Sequence, residues 1–420
     1  MDKNSTGPQP PSSVPSHLVV ALPHLDLVSQ LLDRICPGRF ERIAEDKRLG
    51  LALVDVRDLP QVAAELANEP IPARVSATTP IDRLLGVLRA QCADLYGGWM
   101  PTLGKNRNVD AVFAAPHIGT GGPEEAADGY PVRCDALLMP RATTNGHGRR
   151  ARVGILDTQL FPNDALDGRY TANGESLLTI GEASYSHYKG HATFVAGLVL
   201  EQAPNAELMV RAVLWGDDAR TTTWKLATEM VDMADQGIDV LNLSLACQTE
   251  DGQPPLVLSR AVELLSPNMV IVAAAGNIDN DLVDGKKPIW PAALDDVIAV
   301  GADHEYGRAA AFSPTGPWVR LYAPGVDVTS TYLSGRVSMP KLDTDVSFDG
   351  WATWSGTSFA AATVSGRIAA LIEPGQPARS GWEKLLRAMA NRRDQSRIRL
   401  ADYRVPIEEK ASSCQTTART

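Results

Sequence analysis

The stretch Met269–Asn277, MVIVAAAGN, decides the fold class of this 420-residue chain. It is a nearly unbroken apolar run of strand length that ends in Gly276-Asn277, a pair that is common in turns. A short run that is apolar on both faces predicts a strand buried between two layers. Such strands are typical of a parallel sheet that is covered by helices on both sides.

Similar apolar runs alternate with amphipathic helices from residue 152 onward. Further strands are predicted at Val153–Leu156, Glu207–Leu214, Ile238–Leu245 and Val297–Gly301, and helices at Trp224–Gln236 and Pro255–Leu265. We therefore predict an α/β domain over residues 151–400, with a mostly parallel central sheet and helices on both faces. In such sheets the chemistry lies at the carboxyl ends of the strands, where Asp157 and Asn277 fall.

The first 150 residues have a different organisation. Residues 1–15 are rich in Ser, Pro and Gly and predict a flexible tail. Residues 16–80 show the order strand-helix-strand-strand-helix-strand, with the last strand at Ile71–Ala77, which predicts a small α+β module of the ferredoxin-like kind. Residues 81–150 predict a helix and then an irregular linker, and residues 401–420 predict a C-terminal tail.

The composition excludes several classes of protein. Hydrophobic residues make up 44% and charged residues 21%, so the chain can bury a large core and is not expected to be disordered. The net charge of −10 argues against a nucleic-acid partner. No apolar run long enough to cross a membrane and no signal-like start are seen, so we expect no membrane partner and a cytoplasmic location. The five cysteines are far apart and predict reduced thiols.

Three short segments carry the side chains that are typical of acyl-transfer chemistry. Asp157 ends the strand in VGILDT, His191 opens the small-residue segment HATFVAG, and Ser358 begins an alanine-rich helix after a Gly-Thr turn. A serine hydroxyl needs a base to remove its proton, and a histidine can serve as that base near neutral pH. A buried carboxylate fixes the imidazole tautomer, and a helix N-terminus stabilises a developing oxyanion. The Asn277 amide is the candidate for a second oxyanion donor.

The order Asp, His, Ser is the one that distinguishes subtilisins from other serine hydrolases. The sequence resembles the subtilisin-like serine peptidases (subtilases, peptidase family S8) over about residues 152–375. The resemblance rests on blocks in the family's order: VGILDT, GHATFVAG, LNLSLA at 241–246, AAAGN at 273–277, WPAAL at 290–294, VIAVGA at 297–302, YAPGVDV at 322–328 and GTSFAAATVSG at 356–366.

The resemblance implies a role for each of these residues. Asp157 would orient the imidazole, His191 would be the general base, and Ser358 would be the nucleophile. Asn277 and the backbone N–H of Ser358 would form the oxyanion hole. The residues that would pair with the substrate backbone and wall the pocket before the scissile bond are Ser244, Leu245, Ala246, Ala274, Ala275 and Gly276.

The function implied by the resemblance is that of a serine endopeptidase acting on a peptide or protein substrate. One alternative is a dedicated peptide-maturation protease of narrow specificity. It is suggested by Ala246-Cys247, where the family often has glycines, and by residues 330–350, which we interpret as an insertion at the rim of the active site. A second alternative is a non-catalytic pseudopeptidase that binds extended peptides, and the intact set of Asp, His, Ser and Asn argues against it.

The N-terminal module resembles the inhibitory prodomain of this family in its order of elements. As a hypothesis, it caps the active site as an intramolecular inhibitor of a zymogen, and the linker near residues 135–150 is cut during maturation. The competing hypothesis is a permanent domain that recruits substrates or partners.

No cofactor or metal is assigned from the sequence. His187 stands four residues before His191, but no carboxylate or cysteine follows at a spacing that suggests zinc. Calcium is possible, as in many members of the family, and Asp164 and Asp167 would be candidates. Oxygen ligands form too unspecific a pattern for an assignment.

Overall fold

The computed structural model describes residues 16–72, 79–112, 130–142, 150–216, 218–278, 287–304, 308–339, 344–391 and 398–400. The strands are β1 His17–Ala21, β2 Phe40–Asp46, β3 Leu51–Val56, β4 Leu103–Lys105, β5 Asn108–Ala111, β6 Val132–Arg133, β7 Arg152–Asp157, β8 Tyr170–Ala172, β9 Tyr185–Ser186, β10 Glu207–Ala212, β11 Arg220–Thr222, β12 Val240–Leu243, β13 Leu245–Gln248, β14 Val270–Ala274, β15 Ile289–Trp290, β16 Val297–Asp303, β17 Leu321–Pro324, β18 Val328–Met339, β19 Thr344–Trp354 and β20 Arg399–Leu400. The α-helices are α1 Leu25–Ile35, α2 Leu59–Glu65, α3 Pro80–Leu95, α4 His191–Gln202, α5 Thr223–Ala234, α6 Leu256–Leu265, α7 Thr357–Leu371 and α8 Arg379–Ala390.

The central sheet confirms the predicted fold class. It has eight strands in the order β20-β17-β16-β14-β12-β7-β10-β8. All neighbours are parallel except β17 and β20, which are antiparallel. Over the part of the chain that the structure describes, no helix is long and apolar enough to cross a membrane.

The quoted apolar strand shows why the sheet is covered on both faces. Ile271 and Ala273 of β14 belong to one buried apolar cluster, whose helices are α5 and α6. Val270 and Val272 belong to another, whose helices are α4, α7 and α8. Because successive side chains of a strand point to opposite faces, a strand buried on both faces has to be apolar at every position.

Small residues let α4 pack closely against α7 and against β18. A Cβ added to Gly366 of α7 would lie 2.6 Å from the carbonyl oxygen of Val199 in α4, and one added to Gly197 would lie 2.2 Å from Ser330 Oγ. These two helices begin with the His191 and Ser358 segments. The close helix packing therefore holds two of the sequence-predicted site residues in one place.

The N-terminal region forms a second, four-stranded antiparallel sheet in the order β2-β3-β1-β4. One face, with Leu18 and Val54, packs in an apolar cluster with α1, α2 and α3. The other face, with Val19 and Leu53, shares the cluster of α5 and α6. Helices of the second domain thus cover the open face of the N-terminal sheet.

The fourth strand of the N-terminal sheet lies outside the predicted module of residues 16–80. Ile71 and Pro72 lie in no strand, and residues 73–77 of the predicted strand lie outside the described residues. The fourth strand is β4, which follows α3 and pairs with β1. Thr79 caps the N-terminus of α3, because its hydroxyl accepts from the backbone N–H of Asp82. We propose that the ferredoxin-like module extends to Lys105 rather than to residue 80.

Two other expectations are corrected. Residues 101–150 are not only an irregular linker, because β5 joins the sheet β11-β5-β13-β15 and β6 pairs with β19. Residues 330–350 are not a rim insertion outside the core, because they form most of the hairpin of β18 and β19. Tyr332, Val337 and Phe348 in this hairpin are almost completely buried. The buried residues of β18 do not alternate with exposed ones, so the sequence carries no two-residue period that marks this strand.

The close packing of α4 and α7 predicts the effect of one added methyl group. Gly366→Ala should lower the free energy of unfolding by about 1–3 kcal/mol, because the Cβ would overlap the backbone of α4. Denaturant unfolding of both proteins measures this difference. Gly174→Ala is the control, since nothing lies within 4 Å of that position. Equal midpoints for Gly366→Ala and the parent chain would contradict the prediction.

Candidate active site

Asp157 and His191 form a buried hydrogen-bonded pair. Asp157 is the last residue of β7 and His191 the first residue of α4, so the pair joins the carboxyl end of a strand to the start of a helix. His191 Nδ1 lies 2.7 Å from Asp157 Oδ1 and 3.0 Å from Oδ2, and both side chains are fully buried. The backbone N–H of Thr158 donates to the same Oδ1 at 2.7 Å. A carboxylate at Nδ1 holds the proton there and leaves Nε2 as the basic nitrogen.

Aromatic rings surround the imidazole. The Trp354 ring lies edge-on to His191, with centroids 5.8 Å apart, and the Phe359 ring lies at 5.6 Å. Phe359 directly follows Ser358, so this contact places the first turn of α7 beside the imidazole. The apolar rings also exclude water from the Asp157–His191 hydrogen bond, which strengthens it.

Ser358 is directed at a peptide carbonyl of the same chain. It is buried in the first turn of α7, and its Oγ donates to the carbonyl oxygen of Val112 at 2.6 Å. Val112 directly follows β5. The candidate nucleophile therefore touches the backbone of an extended segment from the N-terminal part of the chain.

The side-chain amide of Asn277 has a fixed orientation at the start of α7. Its Oδ1 accepts from the backbone N–H of Thr357 at 3.1 Å and from the Thr357 hydroxyl at 3.0 Å. A backbone N–H can only donate, so the oxygen end of the amide must face Thr357. The donor end, Nδ2, consequently faces away from Thr357. A Cβ added to Gly356 would lie 3.7 Å from Nδ2, so the amide nitrogen is close to the α7 N-terminus.

A buried polar network lies beneath Ser358. The hydroxyl of Ser244 donates to the Ser358 carbonyl at 3.2 Å and accepts from Asn242 Nδ2 at 3.0 Å. Ser365 Oγ donates to Asn242 Oδ1 at 3.0 Å. Asn242 is fully buried and is not among the residues predicted from the sequence, although an amide inside a predicted core strand is a recognisable signal.

The predicted substrate strand is already paired. The carbonyl of Ser244 accepts from the Val112 N–H at 3.2 Å, and Leu245 lies opposite Ala111. Ala246 lies opposite Asp110. On the other side, the Ala111 N–H donates to the carbonyl of Ala219 at 3.2 Å, next to β11. β5 is thus the middle strand of an antiparallel sheet that leads directly to Ser358.

Comparison with known proteins identifies the family. The profile of the subtilase family matches residues 148–398. The chain belongs to the subtilase family. A thermophilic serine proteinase of Bacillus sp. strain AK1 is 35% identical over 237 residues, which are 53% of this chain and 52% of that protein. Subtilisin BL of Lederbergia lenta is 31% identical over 262 residues, which are 60% of this chain and 87% of that protein.

A longer structural match has low sequence identity. Fervidolysin from Fervidobacterium pennivorans, a keratinolytic enzyme related to subtilisin, matches with a TM-score of 0.54 and 16% identity. The match covers 86% of this chain and 54% of that chain, and it concerns the fold alone. This subtilase spans about half the length of the Bacillus sp. proteinase.

The remaining predicted pocket residues lie at the end of β14. Ala274 and Ala275 are fully buried, and the Ala275 N–H donates to the carbonyl of Val300. Gly276 has φ +98°, and a Cβ there would lie 2.2 Å from Ile289 Cδ1, so the turn requires glycine. Their part in a substrate pocket of this subtilase stays a prediction.

The described residues of this subtilase contain no group of three or more His, Cys, Asp or Glu side chains that could hold a metal. The His187 ring packs against Tyr130 and Tyr188, with centroids at 4.6 and 3.7 Å. Asp164 opens a short 3-10 helix that Asp167 follows. Calcium binding by these carboxylates stays a prediction.

The cysteine of β13 should be chemically inert. Burial raises the pKa of the Cys247 thiol to about 12. Since the thiolate is the reactive form, iodoacetamide at pH 8 should alkylate the partly exposed Cys134 and spare Cys247 in the folded chain. Peptide mass spectrometry reads both sites, and denatured protein is the positive control. Alkylation of Cys247 as fast as that of Cys134 in the folded chain would contradict this prediction.

Proposed function

We propose that this chain is a serine endopeptidase that is made as a zymogen. The observation that carries the proposal is the hydrogen bond from Ser358 Oγ to the Val112 carbonyl, within a strand that is paired with Ser244 and Leu245. An extended peptide thus presents a carbonyl to the serine beside a histidine that a carboxylate orients. This is the arrangement that acyl transfer from a peptide requires.

The proposed reaction begins when the Ser358 hydroxyl turns its proton from the Val112 oxygen to His191 Nε2. The Oγ of Ser358 then attacks the carbonyl carbon of the scissile peptide bond, and Asp157 stabilises the imidazolium that forms on His191. His191 returns the proton to the leaving amine as the peptide bond breaks. A water molecule, activated by the same imidazole, hydrolyses the acyl-enzyme and restores Ser358.

The oxyanion of the tetrahedral intermediate needs two donors. The amide of Asn277 is held by Thr357 with its Nδ2 away from Thr357 and near the α7 N-terminus, and the Ser358 backbone N–H lies in the first turn of α7. Hydrogen-bond donors that are already oriented need no rearrangement as the charge develops. The partial positive charge at the start of α7 adds to this stabilisation.

We further propose that the N-terminal module is an intramolecular inhibitor. Its sheet covers α5 and α6, and Arg48 forms ion pairs with Asp232 at 2.6 Å and with Asp235 at 3.2 Å. Only two residues, Asn106 and Arg107, connect β4 of the module to β5 in the cleft. A substrate cannot pair with β13 while β5 is paired there.

The same geometry supports a different cut site from the one suggested by the sequence. The carbonyl at Ser358 belongs to Val112, so the bond in position for attack is Val112–Phe113, rather than a bond within residues 135–150. Phe113 itself lies outside the described residues. A cut here would separate the module from the peptidase domain.

The two alternatives receive less support. Residues 330–350 belong to a buried hairpin, so they no longer suggest the narrow specificity of a maturation protease. The Asp157–His191 pair and the oriented Asn277 amide argue against a non-catalytic pseudopeptidase. The cytoplasmic location stays a prediction.

Removal of the oxyanion donor tests the proposed chemistry. Asn277→Ala should lower turnover of a peptide substrate by about 10²–10³, a magnitude measured for such a donor in a bacterial subtilisin, with a smaller effect on KM. Ser358→Ala should remove labelling by a fluorophosphonate probe. Asn391→Ala, at an exposed residue after α8, is the control and should keep full turnover. Full turnover in Asn277→Ala would exclude this amide as an oxyanion donor.

The position of Val112 predicts the products of self-processing. Purified wild-type chain should separate into a fragment ending at Val112 and one beginning at Phe113, because Ser358 contacts the carbonyl of Val112. Intact mass spectrometry and N-terminal sequencing measure the two ends. Ser358→Ala should remain at full mass. A cut at Val112–Phe113 in purified Ser358→Ala, or wild-type chain that stays whole, would contradict self-processing.

A further inference from the structure

We propose that Arg220 is a specificity-determining residue that selects an acidic side chain at the third residue before the scissile bond. This inference rests on the proposed endopeptidase function and on β5 as the stand-in for a substrate. It concerns the side chain at one position of the substrate, because backbone hydrogen bonds alone do not distinguish between side chains.

The register places one acidic side chain against one arginine. Counting back from Val112, the third residue is Asp110, and it lies directly opposite Arg220 in the antiparallel pair of β5 and β11. Arg220 Nε lies 2.7 Å from Asp110 Oδ1. On the other side of β5, Asp110 lies opposite Ala246, which carries no charge.

The other side chains of the segment are read differently. Val109, Ala111 and Val112 are buried, so the cleft selects them by size and apolar character. Asp110 is the only charged residue between residues 108 and 112, and its side chain is 53% exposed, like the 54% of Arg220. The third position is therefore the one at which a charged substrate side chain can pair with Arg220 at the edge of the cleft.

Arg220 remains in the cleft after the N-terminal segment has left. β11 lies inside residues 148–398, which match the subtilase family, whereas Asp110 lies outside them. A substrate that replaces β5 between β11 and β13 consequently brings its own third residue to the same guanidinium. The contact in the uncut chain shows which chemistry fits there.

A second carboxylate limits the strength of the selection. Asp218 Oδ2 lies 3.6 Å from Arg220 Nη1, and the Asp218 side chain is 73% exposed. Asp218 neutralises part of the guanidinium charge of Arg220 and repels a substrate carboxylate. Cross-strand and exposed ion pairs are weak, so we expect a two- to fivefold preference, which salt should screen.

Matched peptides test the inference on the full chain after its own processing. Quenched fluorescent peptides carry Asn-Val-X-Ala-Val-Phe, with Asp, Asn or Lys at X, and kcat/KM is measured per Ser358 site titrated with a fluorophosphonate. Wild type should prefer Asp over Asn by about two- to fivefold, and Lys should be the poorest. The preference should shrink in 1 M NaCl.

Substitutions assign the preference to the arginine. Arg220→Gln should remove the difference between Asp and Asn, Arg220→Glu should favour Lys, and Asp218→Asn should increase the preference for Asp. Arg336→Gln is the control, because Arg336 lies in another sheet, is similarly exposed and pairs with Asp345 at 3.1 Å. It should leave the wild-type preference unchanged.

The outcomes distinguish a failure of the role of Arg220 from a failure of the endopeptidase function. Equal cleavage of the three peptides by wild type, or an Asp preference that survives in Arg220→Glu, would overturn the role of Arg220 and leave the endopeptidase function standing. If no Ser358 site is titrated and no peptide is cleaved, the proposed function itself fails, and the specificity inference fails with it.

Discussion

The cleft depends on the backbone hydrogen bonds that hold β5 from both sides. The Val112 N–H donates to Ser244 on one side, and the Ala111 N–H donates to Ala219 on the other. Backbone pairing fixes the direction and register of a strand without reading its side chains. Since this register brings the Val112 carbonyl to Ser358, the same groove that would align a substrate can hold a segment of its own chain. Particular side chains of a substrate would then be recognised by the buried positions of the cleft and by Arg220.

The remaining geometry follows from the α/β scaffold. The parallel sheet delivers Asp157 at the carboxyl end of β7, while α4 and α7 deliver His191 and Ser358 at their first turns. The two helices approach closely because Gly366 has no side chain. Burial then removes water from the Asp157–His191 pair, so that a single carboxylate can set the tautomer of the imidazole. The absence of a side chain at Gly366 therefore allows close packing in the core and also helps to place His191 and Ser358 near each other.

The sequence predicts those parts of the molecule whose signals are local. The apolar run 269–277 predicts a strand buried on both faces, and the helix predicted at Pro255–Leu265 is observed at Leu256–Leu265. The strand β4 could not be predicted, because it has only three residues and follows a helix of the module. The contact between Val112 and Ser358 could not be predicted, since it joins residues 246 positions apart through a short strand that has no local partner. Such long-range pairing is decided by tertiary structure rather than by periodicity.

Hydrogen exchange in uncut Ser358→Ala chain tests most directly whether β5 occupies the cleft. The amides of Ala111 and Val112 both donate within the sheet, so the account predicts that they exchange far more slowly than in an unstructured peptide of the same sequence. Mass spectrometry of peptides that cover residues 106–112 resolves this segment. Exchange at the rate of the unstructured peptide, while β14 in the core stays protected, would contradict the account, because the segment would then lie outside the cleft of a folded domain.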